Sequence, residues 1–192
     1  MEASPPQRRV GGRGARVTQA VHLATVAALT ERGLAALTIE DIAARAAVHK
    51  STIYRRWGTR EALLADALAS LTGGRITVPD TGQLRGDLVA LARQVRDVIV
   101  HPASRTLMAA LAAGRHHDAM AEVGHHYWRH RYAAVRPILE RAVSRGELPA
   151  TVDADTLITR IVGPIWFSVF GPGFEVDDTF VDGCVDVALN GT

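Results

Sequence analysis

The stretch from Thr38 to Arg60, TIEDIAARAAVHKSTIYRRWGTR, decides the architecture of this chain. Its pattern is typical of two short helices joined by a tight turn at residues 47–48. The second helix begins on small polar and basic residues, continues through Tyr54-Arg55-Arg56 and ends at Trp57. A helix with a polar, cationic leading end fits the major groove of DNA, where it can contact base edges while its flanks hold phosphates. The stretch therefore predicts a DNA-binding helix-turn-helix.

The charge of the chain is divided unevenly between its two ends. The net charge of +2 over 192 residues conceals ten Arg and Lys against four Asp and Glu in residues 1–60, and twelve against sixteen in residues 61–192. The first segment therefore carries +6 and the second −4. A cationic N-terminal segment joined to an acidic body is expected when only one end of a protein meets nucleic acid.

Cysteine content and hydropathy bound the cellular compartment. Cys184 is the only cysteine, so an intrachain disulfide is impossible and a reducing compartment fits. The first sixteen residues lack the apolar core of a signal peptide. The longest apolar run, Ile161–Phe170, has ten residues, whereas a membrane span needs about 20. We expect a soluble, cytoplasmic protein with no membrane segment.

Apolar residues recur at helical spacing along the chain, and no strand pattern occurs. Within the N-terminal part, one apolar face per helix is formed by Val17, Val21, Ala24 and Ala28, then by Ile39, Ile42, Ala43 and Ala46, and then by Ile53 and Trp57. Further stripes follow to the end of the chain, among them Leu84, Leu88, Leu91, Val95, Val98 and Ile99. The sequence predicts an all-α fold with about nine helices in total.

Several fixed spacings between about Arg16 and Leu71 resemble the DNA-binding domain of the TetR family of bacterial transcriptional regulators. The residues that carry the resemblance are Gly33-Leu34, Thr38 with Ile42-Ala43, Thr52-Ile53-Tyr54-Arg55-Arg56-Trp57, and Arg60-Glu61-Ala62-Leu63. Two positions depart from the family pattern, because Ala47 stands where the turn usually has Gly, and His49 stands where the recognition helix usually begins with Ser. If the turn requires a positive φ, alanine there costs up to about 1 kcal/mol.

Farther along, Arg145-Gly146-Glu147-Leu148-Pro149 and residues 157–164 resemble the ligand and dimerisation domain of one TetR subgroup. The high content of Pro, Gly and Arg in residues 1–15 predicts a flexible basic arm. The resemblance implies a three-helix helix-turn-helix domain over 16–60 and a larger helical effector-binding and dimerisation domain over 61–192. It implies a homodimer on palindromic double-stranded DNA, acting as a repressor that a small-molecule effector releases. It implies no enzymatic activity, and we predict no cofactor and no metal.

The candidate DNA contacts follow from matching positions and from side-chain chemistry. Lys50 and Ser51 are expected to reach base edges, with Arg55 as a third, since a cationic side chain can pair with guanine. His49 can touch a base or a phosphate. The hydroxyls and cations expected to hold phosphates are Thr38, Thr52, Tyr54, Arg56 and Arg60. Trp57 is interpreted as a core residue.

The family resemblance also implies a cavity and an interface in the larger domain. The candidate cavity residues are Met108, Leu111, Met120, Tyr127, Trp128, Tyr132, Ile161, Trp166 and Phe170, and this lining suits an apolar or aromatic effector. The last two helices are expected to form a four-helix interface with a second copy, because their apolar faces exceed what one neighbouring helix covers. The residues proposed for it are Leu157, Ile158, Ile161, Ile165, Val169, Phe180, Val181, Cys184 and Val185.

Two alternatives belong to other functional classes. Five histidines, His116, His117, His125, His126 and His130, fall within fifteen residues, and such a group could serve a helical metal-binding protein or enzyme. No Cys, Asp or Glu completes an obvious ligand set, so a polar helix surface or cavity rim is the simpler interpretation. The second alternative is an interaction module whose helix-turn-helix no longer binds DNA, which the basic N-terminal segment argues against.

Overall fold

The structure of this chain, a computed structural model, describes residues 12–73 and 75–191. In that part of the chain it contains nine α-helices and no strand, which confirms the all-α prediction. The helices are α1 (Gly12–Arg32), α2 (Ile39–Arg45), α3 (Lys50–Trp57), α4 (Arg60–Gly73), α5 (Leu84–Val100), α6 (Pro102–Ala113), α7 (Asp118–Ser144), α8 (Ala154–Phe170) and α9 (Asp178–Asn190). A single 3-10 turn, Gly114–His116, lies between α6 and α7.

The beginning of α1 shortens the predicted basic arm. Residues 1–11 of that arm lie outside the described residues, whereas residues 12–15 already form the first turn of α1. The Thr18 hydroxyl donates to the Gly14 carbonyl at 2.9 Å, so the glycines that suggested irregular backbone are part of a bonded helix. Among the described helices, none combines the length and the apolar character needed to cross a membrane.

The chain divides into two compact units, the first ending at Leu64 and the second beginning at Ala65. The first unit is built on α1, α2 and α3. Val21 and Ala28 of α1, Ile42 of α2 and Ile53 of α3 are almost completely buried, as the helical spacing predicted. The guanidinium of Arg45 adds a polar link between α1 and α2, because it donates to Glu31 at 2.7 and 3.0 Å and to Asp41 at 3.0 Å.

The turn between α2 and α3 has a left-handed backbone at an alanine. Ala47 has a φ of 53°, and it is the one non-glycine residue with positive φ among residues 12–73 and 75–191. The Val48 N–H donates to the Ala43 carbonyl at 3.0 Å, and the Ala47 N–H donates to the Ala44 carbonyl at 3.2 Å. This pair of bonds is the Schellman arrangement that ends many helices, and glycine is the usual residue at the left-handed position.

We predict that Ala47→Gly stabilises the protein by up to about 1 kcal/mol, because it removes the collision between Cβ and the backbone and loses part of that gain to greater freedom of the unfolded chain. The measurement is the midpoint of urea unfolding. Ala44→Gly, an exposed position within α2, is the matched control and should destabilise by about 0.5–1 kcal/mol. Equal destabilisation by both variants would contradict the prediction.

The second unit encloses its own apolar core. The fully buried side chains Leu88 and Ile99 of α5, Ile138 of α7, Ile165 of α8 and Val185 of α9 come from four helices. Asp153 is the N-cap of α8 and Asp177 is the N-cap of α9. Each carboxylate accepts a backbone N–H three residues later, at 2.8 Å from Thr156 and at 2.7 Å from Phe180. Capping carboxylates of this kind satisfy donors that have no partner within the helix.

Ion pairs connect α5 to α9 along the outside of this core. Arg85 donates to Asp186 at 2.6 Å, and Arg96 donates to Asp178 at 2.6 Å. Arg93 lies between these two arginines in the sequence of α5, and it contacts Asp178 at 3.2 Å and Asp182 at 2.9 Å. These arginines hold the pKa values of Asp178 and Asp186 below the ordinary range, chiefly through the side-chain hydrogen bonds.

A buried carboxylate fixes the segment between α4 and α5. Asp87 has no exposed surface, and one of its oxygens accepts from the backbone N–H and the hydroxyl of Thr81, at 2.5 and 2.8 Å. Its other oxygen lies 3.9 Å from Arg141 and 3.8 Å from Arg145. A buried charge is tolerated only with such partners, so this cluster holds residues 79–83 against α5 and α7.

Acid should destabilise the second unit, because the ion pairs between α5 and α9 lower the pKa values of Asp178 and Asp186. A carboxylate with a lowered folded-state pKa contributes stability above its unfolded pKa, about 4, and loses it as the pH falls through the folded value. We predict that Asp178→Asn lowers the urea midpoint at pH 7 and that the difference from wild type shrinks toward pH 3. Glu140→Gln, at an exposed carboxylate of α7, is the control. A difference that stayed constant from pH 7 to pH 3 would refute the assignment.

Candidate DNA-binding face and effector cavity

The polar face of α3 is open to solvent. Lys50, Ser51, Tyr54 and Arg55 are exposed, and they follow one another at the spacing of a single helix face. Ile53 on the opposite face is buried. The Tyr54 side chain is 47% exposed. The fold therefore brings these four predicted contact residues together on one surface, which we call the α3 face.

The start of α3 adds two further groups to this surface. His49 occupies the N-cap position with extended backbone, and its imidazole makes no capping hydrogen bond. Lys50 lies 3.7 Å from Glu40 of α2, with both side chains more than half exposed. Exposed pairs of this kind contribute little to stability, so a phosphate or a base can replace Glu40 as the partner of Lys50.

The other predicted phosphate contacts have partners within the chain. Thr38 begins α2, and its hydroxyl oxygen accepts the Asp41 N–H at 3.2 Å. Arg60 is half-buried and donates to the Leu37 carbonyl at 3.1 Å and to Glu61 at 3.0 Å. Arg60 thus holds the backbone at Leu37, the residue before the N-cap of α2. Its contacts give it a structural role in addition to the predicted phosphate contact.

Trp57 packs against α1, and the guanidinium of Arg56 lies over its indole ring. The Trp57 ring is half-buried and lies 5.9 Å from the ring of His22, which is buried on α1. The guanidinium of Arg56 sits 5.3 Å from the centre of the same indole, while its side chain remains exposed. Thr52 is half-buried in the first turn of α3. Sequence reasoning missed His22, because a histidine gives little signal for burial beside the apolar stripe of α1.

The second unit contains a wide cleft and a narrow cavity that share a wall. The cleft has a volume of about 640 Å³ and the cavity about 60 Å³. The shared wall consists of Met108, Trp128, Tyr132 and Val162. Two of these four side chains are aromatic, and Trp128 meets Trp166 of the cleft edge to face with centroids 5.5 Å apart.

Six of the nine predicted cavity residues line one or both spaces, namely Met108, Leu111, Tyr127, Trp128, Tyr132 and Trp166. The other three line neither space. Met120 and Ile161 are buried in the core, and Phe170 stacks against Trp166 with centroids 4.2 Å apart. His125 also lines the cleft, in agreement with the interpretation of the histidine group as a cavity rim. The sequence did not single out Arg115 and Arg131, which line the cleft and the cavity, because an isolated arginine gives no signal for a place in a cavity wall.

Tyr127 connects the cavity wall to the end of α4. Its hydroxyl donates to the Thr72 hydroxyl at 3.4 Å, and both side chains are buried. Burial raises the pKa of Tyr127 above its usual range, so the phenol stays protonated and able to donate. Ile76, four residues after Thr72, lines the narrow cavity itself.

The predicted interface residues lie mostly inside the chain's own core. Leu157, Ile158, Ile161, Ile165, Val169, Val181 and Val185 are all buried within a single copy. A second copy is not needed to bury these residues, because α5 packs against both α8 and α9, and α8 and α9 pack against each other. Of the set, Phe180 is exposed and Cys184 is half-buried. The large apolar side chains that α8 and α9 leave exposed are Phe167, Phe180 and Val187.

The histidine-rich stretch has no arrangement for a metal. Within the described ranges, no three His, Cys, Asp or Glu side chains converge on a position that could hold an ion. His116 and His117 lie with ring centroids 4.2 Å apart, and His126 and His130 are exposed on α7. His125 is the member of this group that lines the cleft.

Comparison with known families matches both parts of the chain. Residues 23–67 match the family described as bacterial regulatory proteins, tetR family. Residues 78–188 match a family described as tetracyclin repressor-like, C-terminal domain.

Individual relatives give the same picture over nearly the whole length. The chain is 31% identical over 164 residues to an uncharacterized HTH-type transcriptional regulator, YdeS of Bacillus subtilis, covering 85% of this chain and 83% of the relative. It is 28% identical over 184 residues to the HTH-type transcriptional regulator AqdR of Rhodococcus erythropolis, covering 96% and 89%. The crystal structure of the TetR family transcription regulator SCO0332 superposes with a TM-score of 0.73 at 28% identity, covering 92% of this chain and 98% of that one.

Proposed function

The chain belongs to the TetR family of bacterial transcriptional regulators, and from that premise we propose that its α3 face reads a palindromic operator as one half of a homodimer. Proteins of this family bind DNA through the helix-turn-helix and are typically repressors with a ligand-binding C-terminal domain. The observation that carries the proposal is the exposed row of Lys50, Ser51, Tyr54 and Arg55 above the buried Ile53.

Each group on the α3 face has a distinct task in the proposal. Lys50 and Arg55 donate to guanine acceptors in the major groove, and Ser51 bonds either a donor or an acceptor on a base. His49, Thr52 and Tyr54 donate to phosphates on the flanks, where they set the register of the helix but read no sequence. Thr38, at the start of α2, and Arg56 add phosphate contacts on either side.

Selection of bound duplexes from a random pool tests this assignment. Wild type should enrich a palindrome whose half-sites lie one helical turn or more apart, about 34–36 Å or beyond. Lys50→Ala should lose about 1–3 kcal/mol of discrimination at one base pair of each half-site. Tyr54→Phe should weaken all sequences by about 0.5–1.5 kcal/mol, because only a phosphate bond is lost.

The matched control for the loss of a cation is Arg129→Ala, at an exposed arginine of α7 outside the α3 face. It should enrich the same palindrome as wild type. If wild type enriches no sequence and binds only weakly at low salt, the operator-binding proposal is wrong.

The second copy is proposed to dock on the apolar side chains that a single chain leaves bare. Phe167 of α8 is 68% exposed and Val187 of α9 is 76% exposed. On α9, Phe180, Gly183 and Val187 follow at spacings of three and four, so they share one face with a small residue between two large ones. Such an exposed apolar stripe fits an isologous contact with its own symmetry mate.

We predict that Val187→Glu converts the dimer to a monomer at micromolar concentration without unfolding the chain, since the side chain contributes little to the core of one copy. Sedimentation velocity measures the mass, and circular dichroism checks the fold. Val143→Glu, the same change at an exposed position of α7, is the control and should remain a dimer. A Val187→Glu protein that sediments as wild type would exclude this face.

The cleft and the narrow cavity are proposed as the effector site. Their lining is largely apolar and aromatic, which suits a small apolar or aromatic molecule. To release a repressor, the effector must bind one arrangement of the dimer better than the DNA-bound one, and the two affinities are reciprocally linked. The bond from Tyr127 to Thr72 offers a route from this site to α4. The action is binding without catalysis, in the cytoplasm, where bacterial operators lie.

A further inference from the structure

We propose that the effector is an organic anion with an aromatic core, and that Arg115 binds its charged group. The inference rests on the proposed function of the cleft as the effector site and specifies the chemistry of what enters. It starts from the charged residues of the lining rather than from the apolar ones. The aromatic wall would bind a neutral ring equally well, so it is the charge that distinguishes one ligand class from the other.

The charge of the lining has the opposite sign to the charge of the domain. Residues 61–192 hold sixteen acidic residues against twelve arginines. Nevertheless, neither the cleft nor the narrow cavity has an Asp or a Glu in its wall, whereas Arg115 lines the cleft and Arg131 lines the cavity. An electropositive recess in an acidic body concentrates anions and rejects cations.

Arg115 and Arg131 lack the partners that nine of the ten other arginines of the domain have. The tenth, Arg129, also makes no hydrogen bond or ion pair within the described part of the chain, but it is exposed on α7 and lines neither space. Six of the nine, Arg85, Arg93, Arg96, Arg136, Arg141 and Arg145, pair with carboxylates. Arg105 and Arg160 donate to backbone carbonyls, and Arg75 contacts His101. Over residues 12–73 and 75–191, neither Arg115 nor Arg131 makes a hydrogen bond or an ion pair, so both guanidinium groups retain their donors for a ligand.

The position of Arg115 suits a carboxylate or a phosphate. It belongs to the 3-10 turn between α6 and α7, and its side chain is exposed at the wall of the cleft. A guanidinium presents a planar fork of N–H groups that matches either anion. His125, on the first half of α7, lines the same cleft and supplies another ring nitrogen for hydrogen bonding.

The indole rings of Trp128 and Trp166 provide a surface for the aromatic part of the ligand. Trp128 and Trp166 are each half-buried and meet edge to face, so part of each indole remains open to the cleft. Aromatic rings gain by stacking or by edge contact beyond the area they bury. The cleft, at about 640 Å³, lies within the usual 300–1,000 Å³ range of ligand sites.

The narrow cavity limits what can extend beyond the ring. Its volume of about 60 Å³ is about a tenth of the volume of the cleft. Its wall beyond the shared residues is mainly aliphatic, including Ile76, Leu91 and Val95. A short apolar substituent fits there, with the charged group at the Arg115 end of the wide cleft.

The test compares ligands that differ in charge and share one ring system. Isothermal titration calorimetry of the full-length protein with 2-naphthoate, 2-naphthyl phosphate and 2-naphthamide measures the three affinities. We expect at least one of the two anions to bind about tenfold more tightly than the amide. The tighter anion identifies the charged group as a carboxylate or a phosphate.

Two variants assign the preference to the proposed residue. Arg115→Gln should bring the anion to within about twofold of the amide and leave the affinity for the amide unchanged. Arg129→Gln removes the same charge from an exposed position of α7 that lines neither space, and it should keep the wild-type preference. Equal binding of anions and amide by wild type, or an unchanged preference in Arg115→Gln, overturns the proposal.

Operator binding is measured on the same samples, so that the two proposals fail separately. If the anion preference depends on Arg115 but the anion leaves DNA affinity unchanged, the site is an anion site and the effector role of the cleft is wrong. If DNA binding is intact and the ligand preference is absent, the operator proposal stands and the anion proposal falls.

Discussion

The left-handed backbone of Ala47 is the constraint on which the DNA-reading surface depends. It ends α2 with two reversed hydrogen bonds and sends the chain directly into α3. Because the turn is so short, α3 has little freedom in its orientation relative to α2. Ile53 must face the core, and Lys50, Ser51, Tyr54 and Arg55 must then face solvent. An L-residue in this conformation stores strain, which the packing of α1, α2 and α3 must outweigh.

The second unit manages its charges in two different ways. On its outer side, arginines of α5 pair with the aspartates of α9 and hold those helices together. Inside, Asp87 is buried and is tolerated only because Thr81 donates to it and two arginines lie nearby. Of the arginines that make no hydrogen bond or ion pair in the described part of this unit, Arg115 lines the cleft and Arg131 lines the narrow cavity, whereas Arg129 lines neither. The anion proposal rests on this placement, and under it the charge of a ligand, as well as its size, decides whether it binds.

The sequence correctly predicted which face of a helix is buried, because that pattern is local. It did not predict which other helix covers that face. The stripe of α5 agrees with the expected helical spacing. The same spacing on α8 and α9 predicts a dimer interface, although most of these side chains are already buried within one copy, where α5 contacts both helices and the two helices contact each other. Periodicity shows that a face is buried, but the identity of the covering helix depends on where the chain returns. For the same reason, the periodicity did not predict that Phe167 and Val187 are exposed.

By itself, the sequence determined the all-α class, the helix-turn-helix and the set of residues that face outward on α3, because helical periodicity and turn chemistry act within a few residues. It also determined the family, through fixed spacings between about Arg16 and Leu71. Only the tertiary structure decided that Arg60 ties down Leu37, that Met120 and Ile161 belong to the core, and that Arg115 and Arg131 line the recesses. Those outcomes depend on contacts between residues far apart in the chain, and the packing of whole helices sets them.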